Sequence, residues 1–369
     1  QSDYASAVAA AFAPRAEEGV PNVVIAEAGT GVGKTLGYLA PASLWAERNK
    51  GPVWVSTFTR NLQRQIDGEL DRLFTDPVLK ARRVVVRKGR ENYLCLLNYE
   101  DSVARLPLRA EDTVALGLIA RWAAASRDGD MVGGDFPAWL ADLVGHRNTL
   151  GLADRRGECI YSACDHYHRC FVERAIARAR RADIVIANHA LVMTQAASGG
   201  LDDGNVPTRL VFDEGHHVFD AADSAFSAEL GGQETADLRR WLLGAEQERR
   251  SRARGLARRI GDIAGADERA SKLLEDGLRA ARVLPGPGWQ QRVANEQPHG
   301  PAEAFLSLVR RQVYARVEDA RTPYDLETET KPAIAGLLEA AAALEGALAG
   351  LAAPLRALGA RLATILDEQ

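Results

Sequence analysis

Short apolar runs recur in the first part of this chain, and helical patterns separate most of them. The runs that have the length and β-branched content of buried strands are residues 23–26, 53–56, 83–86, 183–187 and 209–213. Helical patterns lie before the first of these runs, at residues 2–12, and after the first two, at residues 35–47 and 61–74. Strands and helices that alternate at this spacing predict an α/β fold with a parallel, doubly wound sheet.

The alternation stops between residues 88 and 171, where helical patterns and loops occur without a clear strand. We therefore interpret residues 88–171 as an insertion in one α/β domain, whose two parts are residues 1–87 and 172–225. Residues 226–369 show helical patterns only, near 233–260, 264–284, 301–319 and 331–366. They are predicted to form a separate helical domain.

The composition is that of an ordinary globular protein, with 46% apolar and 26% charged residues among 369. The net charge of −4 gives no overall attraction to nucleic acid, so binding of that kind needs local patches. The apolar tail at 334–366 contains charges and Pro354, which predicts two packed helices and no membrane span. With no targeting segment in view, we expect a cytoplasmic protein, a monomer without a membrane partner.

A glycine-rich stretch follows the first predicted strand and opens a helix. It reads Ala28-Gly29-Thr30-Gly31-Val32-Gly33-Lys34-Thr35. Strand, glycine turn and helix form a phosphate-binding loop, in which backbone N–H groups surround a polyphosphate. Lys34 is placed to reach the terminal phosphates and Thr35 to hold Mg²⁺, so the stretch predicts a nucleoside triphosphate site.

An acidic pair follows the last predicted strand of the α/β domain. Asp213 is expected to share the Mg²⁺ with Thr35, and Glu214 to orient and deprotonate the attacking water. His216 would report the nucleotide state to a neighbouring domain. These residues and the glycine loop are predicted to face each other across one magnesium–triphosphate.

Three polar stretches leave two interpretations open. Residues 57–65 and the pair Asn188-His189 follow predicted strands, where they would either contact nucleic acid phosphates or simply cap helices. Arginines crowd the first helix of the C-terminal part, either as a solvated face or as a phosphate-binding surface. They are Arg239, Arg240, Arg249, Arg250, Arg252, Arg254, Arg258 and Arg259.

Four cysteines occur, at Cys95, Cys159, Cys164 and Cys170. So few in a large chain without a targeting segment favour a metal site over disulfides. The spacing fits a [4Fe–4S] cluster, since only one pair has the tight spacing of structural zinc sites, but zinc and free thiols stay open. His166 and His168 lie among them, as spare ligands or as solvent-facing loop residues.

The order of these motifs resembles that in XPD-like superfamily 2 helicases, and the cysteine spacing resembles that of bacterial DinG. The stretches that carry the resemblance are the glycine loop, residues 57–65, Lys88-Gly89-Arg90-Glu91-Asn92-Tyr93-Leu94-Cys95, the later cysteines, Ala187-Asn188-His189 and Asp213-Glu214-Gly215-His216. It covers residues 1 to about 225 well and is looser beyond. Gly215 stands where the family has alanine.

The resemblance implies a 5′→3′ DNA helicase that uses ATP and Mg²⁺ and acts on single strands and duplex junctions. It also implies a RecA-like domain with a [4Fe–4S] insertion, held by the four cysteines, and an arch-type helical domain after it. Gln1 would read the adenine, and Tyr93 and Tyr161 would stack on bases. The family's Ser-Ala-Thr motif and second motor domain are absent up to Gln369, so the chain is expected to hold half a motor.

Two other functions are compatible with the residues. One is a nucleotide-gated DNA-binding or regulatory module without unwinding activity. An ATP-dependent nuclease is less favoured, since no separate acidic cluster for catalytic metals is evident in the sequence.

Overall fold

The chain divides into two compact units, Gln1–Ala228 and Glu229–Gln369. The structure is a computed structural model, and the residues it describes are 2–15, 17, 19–29, 31–104, 106, 112–144, 151–154, 159, 161–198, 207–228, 230–244, 246, 255–317 and 326–367. Gln1 and Thr30 of the predicted nucleotide site lie outside these residues, as do Arg249, Arg250, Arg252 and Arg254.

A four-stranded parallel sheet forms the centre of the first unit. Its strands are β1 (Val53–Thr57), β2 (Val84–Val86), β3 (Ile184–Asn188) and β4 (Leu210–Phe212), in the order β2-β3-β1-β4. Val55 lies opposite Ile186 on one side and Val211 on the other. The predicted α/β class and parallel sheet are confirmed.

The helices of the first unit connect or flank these strands. They are α1 (Ser2–Ala9), α2 (Lys34–Asn49), α3 (Arg60–Leu70), α4 (Pro77–Arg83), α5 (Leu96–Val103), α6 (Thr113–Ala125), α7 (Ala138–Val144), α8 (Phe171–Ala179), α9 (His189–Ala197) and α10 (Val218–Phe226). Alternate strand residues point to opposite faces of the sheet. Val55 packs with residues of α2 and α3 such as Leu39 and Ile66, whereas Trp54 packs with Val192 of α9 on the other face.

The predicted first strand, residues 23–26, is wrong for this structure. No strand forms there, and Val23 and Ile25 are 75% and 94% exposed. A strand needs a neighbour for its backbone hydrogen bonds. The strand β4 could have been such a neighbour. Among the described residues, however, β4 pairs only with β1, and its Leu210 is 41% exposed. An apolar pattern therefore did not suffice to place this segment in the sheet.

The residues between β2 and β3 build a core of their own. Ile119 and Trp122 of α6 pack with Tyr93, Leu152 and Phe171. Within the described part of this region, the only β-type pairings are isolated bridges, from Tyr93 to Asp130 and from Leu94 to Ala153.

The second unit is helical in its described residues. Its helices are α11 (Gly232–Leu243), α12 (Gly255–Gly265), α13 (Glu268–Ala280), α14 (Trp289–Ala294), α15 (Gly300–Tyr314) and α16 (Leu337–Asp367). The helix predicted near 233–260 ends at Leu243, because Gly244 takes a left-handed φ of 84°.

The predicted pair of tail helices is also wrong, since α16 runs through Pro354 as one helix. Leu344, Leu351 and Leu358 form its buried stripe, and packing of this stripe offsets the hydrogen bond lost at Pro354. By length and composition alone, α16 is apolar enough to cross a membrane. Its stripe nevertheless packs within the unit, with Leu351 beside Leu242 and Leu284.

Candidate functional site

The glycine loop enters α2 through two left-handed residues. Gly31 has φ 79° and Gly33, the residue before the helix, has φ 78° and ψ 36°. Side chains with a Cβ adopt this conformation at a cost, which explains glycine at both positions. The loop thereby turns into the helix N-terminus at Lys34, where backbone N–H groups and the helix dipole favour an anion.

The acidic pair stands directly after β4. The Asp213 N–H donates to Ser56 O (2.8 Å), which extends the pairing of β4 with β1 by one residue. The Thr57 hydroxyl then donates to Asp213 Oδ2 (3.1 Å). Glu214 itself has a left-handed backbone, φ 54° and ψ 50°, at the start of the 3₁₀ turn Gly215–His217.

Lys34 and Glu214 meet. The Lys34 Nζ lies 3.3 Å from Glu214 Oε1, and both side chains are about one-third exposed, 28% and 34%. The structure therefore brings the glycine loop and the acidic turn to one place at the carboxyl edge of the sheet. This is the edge where ligands bind in open α/β sheets.

The charge balance of this place suits a divalent cation. Burial raises the pKa of Asp213, and the Glu214 carboxylate raises it further, against a hydrogen bond from Thr57 and the charge of Lys34. The carboxylates of Asp213 and Glu214 thus have one positive charge between them, that of Lys34. Oxygen ligands with excess negative charge are those that Mg²⁺ prefers, so the residues present fit a magnesium ion held by Asp213 and Thr35.

Two tyrosines, which the sequence analysis missed, border the site. Tyr38 is 2% exposed, and its hydroxyl has Thr35 and Asp213 as polar neighbours. Tyr4 of α1 lies against Gly37, where an added Cβ would stand 2.6 Å from its ring. The one available signal was the position of Tyr38 three residues after Thr35, which places both on one side of α2.

Three histidines surround the acidic turn. His216 Nδ1 lies 3.6 Å from Glu214 Oε2 and its side chain is 66% exposed. His189 is 1% exposed and its Nδ1 lies 2.7 Å from Ser56 Oγ. Burial lowers the pKa of His189, more than the backbone carbonyls of Asp213 and Glu214 raise it. His217 stacks on Phe58.

Of the two interpretations predicted for the segment after β1, the structure shows the capping of a helix, and contact with nucleic acid stays a prediction. Thr59 caps α3 by accepting from the Leu62 N–H (3.2 Å), whereas Arg60 and Arg64 are exposed. Gln63 is buried and unable to contact a ligand in solution. Asn188 caps α9 in the same way, through Leu191 N–H (3.0 Å).

The four cysteines are unpaired with one another and half-buried. Burial raises the pKa of Cys95 to about 11, and the Cys170 thiol is close enough to both Cys95 and Cys159 to affect their titration. Within the described residues, however, no three His, Cys, Asp or Glu side chains come together closely enough to hold a metal ion. Four thiols are chemically suited to hold an iron–sulfur cluster. In this structure, however, the four side chains are not gathered around one point.

The neighbours of the cysteines resolve two other expectations. His166 pairs with Glu100 (2.9 Å), and His168 is exposed. Tyr93 is 3% exposed, so its predicted stacking on bases is wrong, because no face of its ring reaches solvent. Tyr161 is 53% exposed, with the Arg90 guanidinium 4.8 Å from its ring centroid.

The described arginines of α11 are engaged within the second unit. Arg239 pairs with Glu246 (2.7 Å) and donates to two backbone carbonyls, those of Arg282 and Leu284. Arg240 pairs with Asp237. For these two arginines, the structure shows an internal, charge-balanced role.

A glycine loop with left-handed residues that opens a helix next to an acidic pair, at the carboxyl edge of a parallel sheet, is an arrangement typical of the P-loop NTPase class. Comparison with known proteins finds relatives that are similar to part of the chain. The chain is 36% identical over 251 residues to the ATP-dependent helicase DinG of Mycobacterium tuberculosis, a match that covers 62% of this chain and 36% of that protein. Over this part the chain is similar to DinG-type helicases, and the predicted resemblance is confirmed.

Two further relatives extend the comparison. The ATP-dependent DNA helicase YoaA of Escherichia coli K12 is 34% identical over 245 residues, covering 63% of this chain and 35% of that protein. The 3′-5′ exonuclease DinG of Bacillus subtilis 168 is 32% identical over 241 residues, covering 62% and 23%. The chain thus spans about a third or less of the length of these relatives. No family model matches it.

Proposed function

We propose that this chain is part of an ATP-dependent DNA helicase that moves 5′→3′ along one strand. The observation that carries the proposal is the meeting of Lys34 with Glu214, beside Asp213, at the carboxyl edge of a parallel sheet. The names of the relatives, DinG and YoaA helicases, support DNA as the partner.

Each residue of the site has a role in ATP hydrolysis. Backbone N–H groups of residues 28–33 and the N-terminus of α2 bind the phosphates, and Lys34 exchanges Glu214 for the terminal phosphate oxygens. Asp213 and Thr35 would hold Mg²⁺, which would supply positive charge beside the phosphates. Glu214, released from Lys34, orients water and accepts its proton. His216 stays in contact with Glu214 as a reporter of the nucleotide state, and Gln1 reads the adenine.

We also propose that Cys95, Cys159, Cys164 and Cys170 hold a [4Fe–4S] cluster within residues 88–171, and that residues 226–369 form the arch-type domain. Thiolate ligation supplies a rigid anchor for the insertion beside the DNA path. The support is the cysteine spacing and the similarity to DinG. A cytoplasmic monomer remains our prediction.

The test is ATP hydrolysis and strand separation by the complete gene product that contains this chain, with Lys34→Ala beside it. We expect DNA-stimulated hydrolysis in the natural protein and a loss of about 100-fold or more in Lys34→Ala, with the matched variant Lys272→Ala unchanged. Hydrolysis without strand separation on 5′-tailed duplexes would favour the regulatory module. Hydrolysis that survives in Lys34→Ala would overturn the assignment of the site.

A further inference from the structure

The Phe58 ring lies stacked on the imidazole of His217, with ring centroids 3.9 Å apart and planes inclined by 13°. Phe58 follows β1 and is 47% exposed, whereas His217 ends the 3₁₀ turn after the acidic pair. Neither residue has a part in the hydrolysis described above. The stack connects the segment that enters α3 with the turn that carries Glu214.

The stack is the third of four consecutive contacts. Ser56 O accepts from Asp213 N–H (2.8 Å), and the Thr57 hydroxyl donates to Asp213 Oδ2 (3.1 Å). Phe58 then contacts His217, and Thr59 caps α3. Three successive residues are therefore fixed to the acidic turn, and the fourth is fixed to the helix that presents Arg60 to solvent. Short, direct contacts therefore connect the start of α3 with the acidic turn.

The acidic turn has a backbone conformation that depends on its neighbours. Glu214 has a left-handed backbone (φ 54°), which residues with a Cβ rarely adopt and which persists only where neighbouring contacts maintain it. Those contacts include its ion pair with Lys34 and the His217 N–H that donates to Glu214 O (3.1 Å). His217 is thus bound to Glu214 by its backbone and to Phe58 by its ring.

We propose that the Phe58–His217 stack transmits binding of a single nucleic acid strand at the start of α3 to Glu214. This inference rests on the proposed function. A strand whose phosphates contact Thr59 and Arg60 shifts Phe58, and His217 follows because the two rings are stacked. Once the terminal phosphate has replaced Glu214 at Lys34, the shift of His217 turns the Glu214 carboxylate toward the attacking water. Phe58 and His217 are positioning residues for Glu214.

The experiment uses the complete gene product and measures ATP hydrolysis with and without single-stranded oligo-dT. Phe58→Leu keeps an apolar side chain but loses the stack, whereas Phe58→Tyr keeps it. We expect Phe58→Leu to lose about 5-fold or more of the DNA stimulation, with DNA affinity and KM for ATP within about 3-fold of the natural protein. Phe58→Tyr should restore the stimulation. Phe219→Leu, at a 73% exposed position on the neighbouring helix α10, is the matched control.

A second measurement tests the stack without activity. The imidazole protons of His217 should experience the ring current of Phe58, so their NMR signals should shift in Phe58→Leu and remain in Phe219→Leu. Full stimulation in Phe58→Leu, or a loss explained by weaker DNA binding, would overturn the inference while leaving the proposed function intact. If the natural protein shows no DNA-stimulated hydrolysis, the proposed function fails, and the coupling fails with it even where the ring-current shift is present.

Discussion

Lys34 Nζ and Glu214 Oε1 are 3.3 Å apart, which joins the base of the glycine loop to the acidic turn by an ion pair. One partner comes from the first turn of α2 and the other from the residue after Asp213 at the end of β4. Because both side chains are about one-third exposed, the pair contributes little to stability. In the proposed function its importance is in hydrolysis, since phosphate oxygens would compete with Glu214 for the same ammonium group.

Glu214→Gln separates binding from hydrolysis. The amide cannot accept a proton from water, so we expect hydrolysis to fall by about 100-fold or more. Nucleotide affinity should be retained or rise, because Lys34 no longer has to break an ion pair with a carboxylate before it binds the phosphates. Binding of a fluorescent ATP analogue and phosphate release by the complete gene product measure the two effects. Glu69→Gln, at the surface pair with Arg72, should change neither. A parallel loss of binding would contradict the role of Glu214.

Cys95→Ser tests the proposed [4Fe–4S] cluster. Burial raises the pKa of the Cys95 thiol, and only a bound metal would make its deprotonation favourable at neutral pH. We expect the natural protein to be brown and to contain iron, and the variant to lose both visible absorbance and iron. His168→Ala, at an exposed position between Cys164 and Cys170, should keep them. A colourless natural protein with one zinc per chain would exclude the cluster.

His189 makes the stability of the first unit depend on pH. Burial lowers its pKa below the ordinary 6.5, so below that pH the unfolded chain binds a proton that the folded chain does not. The free energy of unfolding therefore falls as the pH drops below about 6.5, by at most about 1.4 kcal/mol for each pH unit. Urea unfolding at several pH values should show a weaker dependence in His189→Asn. The exposed His168→Ala should follow the natural protein, and an unchanged slope in His189→Asn would refute the expectation.

Glu303 in the second unit is a buried carboxylate with a partner. It is 1% exposed and accepts from Arg292 Nε (2.8 Å) and His299 N–H (2.9 Å). Burial alone would raise its pKa, but these hydrogen bonds outweigh burial and the pKa lies below its usual range. Its stabilising effect is therefore complete above the unfolded pKa and is lost as the pH falls through the folded one.

Removing this carboxylate leaves the charge of Arg292 without its ion-pair partner, so Glu303→Ala should lower the free energy of unfolding by about 3 kcal/mol. Chemical denaturation at neutral pH, followed by a probe in the second unit, measures the change. Glu275→Ala, exposed on α13, should remain within about 0.5 kcal/mol of the natural protein. Equal stability of the two variants would show that the pair contributes nothing.

The sequence predicted the parts of this protein that depend on local chemistry. Gly31 and Gly33 have the positive φ that a phosphate loop requires, and the apolar runs at β1 and β3 are strands because both of their faces are buried. The motif order was enough to indicate DinG-type relatives. The conformation of the glycine loop is determined by interactions among residues close together in the chain. The strands β1 and β3 are determined by apolar patterns that fit only a buried position.

Contacts between distant segments were decided by the tertiary structure alone. Residues 23–26 have the apolar pattern of a strand, but the pattern does not tell whether another strand lies beside them, and none does among the described residues. Likewise, Pro354 predicts a break in the helix, but the sequence does not show that packing keeps α16 continuous at this position. The stack of Phe58 on His217 has no signal in either stretch. Such contacts depend on which elements become neighbours, and a one-dimensional pattern carries the period of a helix or strand but not the identity of what packs against it.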